Sequence, residues 1–265
     1  MRTRRILPVL LFATGFVGTL RPAAAQPVPP RGAPTRPAAV VPIALFVDRG
    51  VSGKGPDMFE DTAEATTDLR VTRVTALDVR FGKLQEFRVL VMPGGSASGQ
   101  ALALDVPGRA AVKAFVKEGG CYVGICAGCY LAGSGYPWSL ELLPARVIDK
   151  ANWMRGTGSL KVEFTPAAKD WLRTTEPFAA CRYANGPILE PTAGAKEKLI
   201  PLAYYREELV PSGSRPGVML NTPAVVAARY GKGWAIGVSP HPEQTDGLKH
   251  VIPSAIRWAL AHPAE

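Results

Sequence analysis

Acidic side chains are absent from the first 40 residues of this 265-residue chain, which carry six arginines and no lysine. The formal charge of +9 therefore overstates what the remainder presents: residues 41–265 hold 25 basic and 22 acidic side chains, a balance of +3. That part also lacks a basic stripe with interleaved aromatics, so no nucleic acid partner is expected. Past residue 25, no apolar run reaches the roughly 20 residues that a membrane-spanning helix needs. No membrane span is expected after processing. Cysteine is scarce: Cys121, Cys126, Cys129 and Cys181 are too few in a chain this long for a disulfide scaffold. Histidine is scarcer still, with His241, His250 and His262 alone. No cofactor and no metal are expected, and the pattern implies no particular oligomer.

The chain opens on "MRTRR", continues with the apolar "ILPVLLFATGFVGTL" and reaches small residues in "RPAAAQ". This order is that of a secretory signal peptide, with cleavage expected after Ala25. Residues 26–40 are rich in proline and hold no acid and no aromatic, so they read as a flexible linker. Residues 41–265 are then expected to form one α/β domain, exported to the periplasm or beyond the cell.

Within that domain "VPIALF", "FRVLVM", "CYVGIC" and "GWAIGV" are continuous apolar runs, the pattern of strands buried on both faces. Between the second and third, "GRAAVKAFVKEGG" predicts a helix with Val112, Phe115 and Val116 on one face. Gly119 and Gly120 mark its end. Strand, helix, strand over some 40 residues is a βαβ unit, which favours a parallel sheet. "SLKVEFTP" and "LIPLAYY" predict further strands. "PAVVAARYGKGWAIGV" predicts two strands about a Gly-Lys-Gly turn. Pro253 to Ala261 predicts a closing helix with Ile256, Ala259 and Leu260 inward.

Chemistry concentrates in three places. "GICAG", residues 124–128, matches the Gly-x-Ser-x-Gly elbow with cysteine as the nucleophile. Small flanking residues are needed where a strand turns sharply into a helix, and the helix N-terminus favours a thiolate at Cys126. His241 and Glu243 follow an apolar strand in "SPHPEQT", spaced so that a carboxylate can orient the imidazole. "MPGGSASG" ends a strand in glycines, where Gly94 or Gly95 with the Ala127 amide would receive an oxyanion. Trp138, Trp153, Tyr183 and Asn185 are candidate walls of a substrate pocket, the last two the expected binding residues. Other readings stay open for each. The alternative at Cys126 is a small buried residue, and "CAGC" places Cys129 where a redox pair would have it.

Taken together, "PGG" (93–95), "GICAG" (124–128) and "HPE" (241–243) resemble the class I glutamine amidotransferase-like superfamily. "VKEGGCYVGICAGCYLA", "RYANGP" (182–187) and "YGKGWAIGVSPHPE" are most similar to its biotin-protein ligase N-terminal-like group. The resemblance spans most of residues 41–260. It implies a flavodoxin-like three-layer α/β/α sandwich with a mostly parallel central sheet. It also implies a triad in which Cys126 attacks an amide carbonyl, His241 moves the proton and Glu243 orients His241. No synthetase domain and no biotin ligase catalytic domain is read, so ammonia transfer and biotinylation are not expected. What remains is hydrolysis of an amide or γ-glutamyl-type bond in a small molecule or peptide. The alternatives are a binding module on the same fold and a thiol oxidoreductase.

Overall fold

A fully buried apolar run must send alternate side chains to opposite faces of a sheet, and each face then needs a layer to cover it. The computed structural model describes residues 40–263, so the expected signal segment and all but the last linker residue lie outside them. In chain order the strands are Val41–Phe46 (β1), Leu69–Val74 (β2), Val89–Met92 (β3), Cys121–Ile125 (β4), Ala145–Ile148 (β5), Thr157–Phe164 (β6), Phe178–Ala184 (β7), Ile188–Pro191 (β8), Ile200–Tyr205 (β9), Pro223–Tyr230 (β10) and Gly233–Val238 (β11). The α-helices are Gly55–Glu64 (α1), Ala76–Arg80 (α2), Ala97–Lys117 (α3), Ala127–Ala132 (α4), Ala168–Leu172 (α5) and Val251–Ala261 (α6).

Nine strands form one sheet in the order β2-β1-β3-β4-β11-β10-β9-β6-β7. From β2 to β11 the pairings are parallel; from β11 to β7 they are antiparallel. The expected α/β sandwich is present, and its sheet is mixed, with one parallel half and one antiparallel half. Ile43, Leu45, Val89, Val91, Val123 and Ile125 face one core, against Phe59 of α1, Trp171 of α5 and Ile256 of α6. Ala44, Phe46, Leu90, Met92 and Tyr122 face the other, against Val79 of α2, Leu104 and Val112 of α3 and Leu131 of α4. Strands β5 and β8 form a separate antiparallel pair.

The predicted hairpin turns through Gly231 and Lys232, with Tyr230 paired to Gly233. The helix read from residue 108 starts earlier, at Ala97, and breaks at Asp105, whose φ of 57° and ψ of −172° are not helical. Pro107 sits just past the break, where its missing N–H costs nothing.

One ion pair ties a sheet edge to the closing helix. Arg257 of α6 donates to both carboxylate oxygens of Asp68, at 2.6 and 2.7 Å. Hydrogen bonding from Arg257 outweighs partial burial and holds the Asp68 carboxyl down at about 2. Since that lies below the unfolded value of about 3.9, the stabilisation is present above pH 4 and is lost as pH falls towards 2. Asp68→Asn is expected to cost about 1 kcal/mol in urea denaturation at neutral pH, the pair being partly exposed. The gap should close near pH 2; an unchanged gap there would contradict this assignment.

Candidate active site

Three neighbouring parallel strands, β3, β4 and β11, end together at one edge of the sheet. Gly124 of β4 pairs with Met92 on one side and Gly237 on the other. The segments that follow these strands carry Gly94 and Gly95, Cys126, and His241. Ligands of open parallel sheets bind outside this edge.

The chain leaves β4 on a strained turn. Cys126 has φ 48° and ψ −98°, outside the ordinary regions for a residue with a side chain. Such backbone costs about 1–3 kcal/mol and persists only where its surroundings fix it. Here the Cys126 N–H donates to the Val238 carbonyl at 2.8 Å, and its own carbonyl accepts from Tyr130 N–H at 3.0 Å. The turn folds α4 back over β3 and β4 so closely that side chains are excluded. A Cβ on Gly124 would lie 2.4 Å from the Gly128 carbonyl, and one on Gly128 would lie 2.1 Å from the Met92 oxygen. The two glycines of the Gly-x-Cys-x-Gly pattern are therefore steric requirements of the elbow.

Cys126 and His241 come together across this edge although 115 positions separate them in sequence. The His241 Nδ1 and Glu243 Oε1 lie 2.7 Å apart. An ionised carboxylate only accepts, so Nδ1 carries the proton and Nε2 is left for the Cys126 thiol. Burial alone would lower the His241 pKa. Hydrogen bonds to Cys126 and Glu243, and the charge of Glu243, outweigh it and raise the value to about 10. His241 and Glu243 are 5% and 1% exposed. Gln244 Nε2 lies 2.9 Å from Glu243 Oε1 and donates to it; Nδ1, already protonated, cannot accept. Cys126 Sγ also lies 3.4 Å from the Ala184 carbonyl.

Gly94 abuts the imidazole, since a Cβ there would meet His241 Cε1 at 3.0 Å. Gly95 is pinned beside the Gly50–Ser52 loop, which pairs with it through a bridge at Val51. The N–H groups of Gly94, Gly95 and Ala127 have no protein acceptor among the described residues. Gly94 and Gly95 line the same cleft as the sulfur, and Ala127 follows the sulfur directly in the chain.

The cleft has a volume of about 590 Å³. Asn185, Trp138 and Trp153 line it, as the sequence predicts. Asn185 sits at φ 55°, and its Oδ1 accepts from Gly156 N–H at 2.7 Å. Tyr183 corrects the expectation of a binding residue. It is 0% exposed, lies in the core edge-on to Tyr205, and donates its hydroxyl to the Gly186 carbonyl at 2.8 Å. Alternation along β7 turns Tyr183 inward, while its neighbours Arg182 and Ala184 line the cleft. Tyr130, Tyr136, Lys150 and Gln244 also line it and were not read from the sequence. The adjacency of Gln244 to "HPE" was an available signal; the others depend on tertiary placement.

The redox reading of "CAGC" meets a geometric obstacle. All four cysteines are free. Cys126 belongs to one core and Cys129 to the core on the opposite face of the sheet. Cys129 is fully buried, and burial raises its pKa well above the ordinary thiol range. Burial likewise pushes the Cys121 and Cys181 thiols up to about 12.

No curated protein matches the sequence. Solved structures do match in shape. The PurLQS structure from Thermotoga maritima aligns at TM-score 0.60 with 16% identity, over 83% of this chain and 99% of that one. A ThuA-like protein from Bacteroides uniformis aligns at 0.57 with 15% identity, over 88% and 96%. A cytoplasmic protein from Salmonella typhimurium aligns at 0.56 with 11% identity, over 85% and 100%. Residues 84–151, which hold Gly94, Gly95 and Cys126, match the family model described as biotin-protein ligase, N terminal, and the solved neighbours share the α/β fold, both consistent with the resemblance to the class I glutamine amidotransferase-like superfamily.

Proposed function

We propose that this protein hydrolyses an amide or γ-glutamyl-type bond of a small molecule or peptide through a thioester on Cys126. One observation carries the reading: a sulfur on strained backbone shares the mouth of an open cleft with an imidazole that a buried carboxylate holds at 2.7 Å, and a Cβ on Gly94 would touch both, at 3.0 Å from His241 Cε1 and 3.7 Å from Cys126 Cβ. In this reaction the proton of the Cys126 thiol is already held on His241 Nε2, in the imidazolium form that the raised pKa favours, when sulfur bonds to the carbonyl carbon. The carbonyl oxygen takes up negative charge beside the Gly94, Gly95 and Ala127 amides. Collapse breaks the C–N bond, and His241 gives its proton to the leaving amine. Water then adds to the thioester with His241 as base, releasing the acid and restoring the thiol. The N-terminal signal pattern supports a site of action in the periplasm or outside the cell.

Acid-quenched mass spectrometry with γ-glutamyl and N-acyl p-nitroanilides tests the reading. The expected result is release of nitroaniline together with an acyl mass increment on Cys126. Equal release by Cys126→Ala would remove the proposal.

A pH prediction follows from His241. Turnover requires the imidazolium as acid, so the rate should fall as pH rises through about 10. Glu243→Gln deletes the anion that favours the charged ring, so that alkaline limb should move down by at least about one pH unit. An unmoved limb would show that Glu243 does not tune His241. The same shift sets a stability trend. Raised above the unfolded value of about 6.5, His241 contributes fully below pH 6.5, and its contribution is lost towards pH 10.

A further inference from the structure

The cleft is charged on one side of the balance only. Lys150 and Arg182 line it, and no aspartate or glutamate does; Glu243 stands behind His241, buried. Arg182 differs from the arginines that close ion pairs elsewhere. Arg73, Arg146, Arg155, Arg206 and Arg257 each meet a carboxylate, and Arg182 meets none among the described residues. Its Nε donates to Gln244 Oε1 at 3.2 Å, while Nη1 and Nη2 have no protein acceptor among the described residues. Its backbone is fixed to the reacting centre: the Arg182 carbonyl accepts from His241 N–H at 2.7 Å, and the Arg182 N–H donates to Thr245 Oγ1 at 3.0 Å. An outward guanidinium edge is therefore held at a set place relative to the imidazole, by one main-chain bond to His241, one to the Thr245 hydroxyl and a side-chain bond to Gln244.

An aromatic wall shares the cleft. Tyr136 and Trp138 stack at 4.4 Å with planes 9° apart. Lys150 Nζ lies 5.2 Å from the Tyr136 ring centroid and donates to the Gly135 carbonyl at 2.7 Å. It too meets no carboxylate among the described residues. A guanidinium without an anion favours a planar, doubly accepting group such as a carboxylate. A stacked aromatic pair favours a flat apolar one.

We propose that the cleft selects amides bearing a free carboxylate close to the scissile bond and an aromatic group beyond it, with Arg182 reading the carboxylate and the Tyr136–Trp138 wall taking the ring. This rests on the reading that the amide is attacked at Cys126, and it narrows the substrate to aromatic N-acyl amino acids and the short peptides that resemble them.

Binding tests it without turnover. In the full processed chain carrying Cys126→Ala, N-benzoylglycine and its neutral methyl ester are titrated by calorimetry and tryptophan fluorescence. The acid is expected to bind at least tenfold more tightly than the ester at low salt, with the ratio shrinking as salt rises. Adding Arg182→Ala should bring the ratio close to one, and Arg182→Lys should keep part of it. Equal affinities, a ratio indifferent to Arg182→Ala, or no saturation by either compound would overturn the proposal. Alkylation of Cys126 by neutral iodoacetamide, run on the parent chain, is the separate check of the hydrolase reading. A thiol that alkylates no faster than one in an unfolded peptide would defeat that reading while leaving the titration result standing.

Discussion

Alanine at position 126 is expected to abolish turnover, with a fall of about 10⁴-fold or more, and to leave the fold standing. The magnitude follows from the role. Without a nucleophile the covalent route is closed, and the remaining oxyanion donors and imidazole act only on bound water. The stability expectation follows from the packing. Cys126 is a small side chain, 6% exposed, and its backbone anchors to Val238 and Tyr130 run through main-chain atoms that alanine retains. The melting temperature should therefore move by no more than about 4 °C, the equivalent of some 1 kcal/mol in a domain of this size. Cys126→Ser should also lose most of its activity, because a hydroxyl gives up its proton far less readily than a thiol. Retained hydrolysis in the alanine variant would assign the reaction to other groups.

Gly128→Ala is expected to have the largest effect on stability. Its Cβ would lie 2.1 Å from the Met92 carbonyl oxygen and 2.8 Å from Met92 Cβ. Both belong to the end of β3, whose backbone is held on two sides by β1 and β4. No flexible side chain is available to give way, so α4 must lift from the sheet and carry Cys126 with it. Such overpacking against backbone should cost about 3 kcal/mol or more, a fall in melting temperature of roughly 6 °C or beyond. Cys126 should lose contact with His241 well before global unfolding, so thiol reactivity should fall even at temperatures where circular dichroism stays native. A melting temperature equal to the parent's would contradict the steric account of the elbow.

The parts of this architecture that were legible from sequence are those set by local pattern. β1, β3, β4 and β11 are continuous apolar runs because parallel strands are covered on both faces. The elbow was legible because its glycines are demanded by contacts within a few residues of the cysteine and by one neighbouring strand. β7 was missed. It lies at the sheet edge and alternates exposed and buried residues through "FAACRYA", and that mixed composition reads as loop. The same alternation explains the misassignment of Tyr183. Closeness to Asn185 in the chain says nothing about which face a strand residue takes. The antiparallel half of the sheet was underestimated because residues 157–230 carry weaker periodicity than the parallel core. Arg182 and Lys150 reach the cleft only through tertiary packing, which no spacing rule encodes.

The meeting of one sulfur and one imidazole at the sheet's edge is most directly tested by labelling the folded chain with a chloroketone analogue of glutamine, followed by peptide mass spectrometry. The predicted result is a single adduct on Cys126, formed faster than on an unfolded peptide thiol, lost in His241→Ala, with Cys121, Cys129 and Cys181 unmodified. An unlabelled Cys126, or equal labelling of all four cysteines, would contradict it.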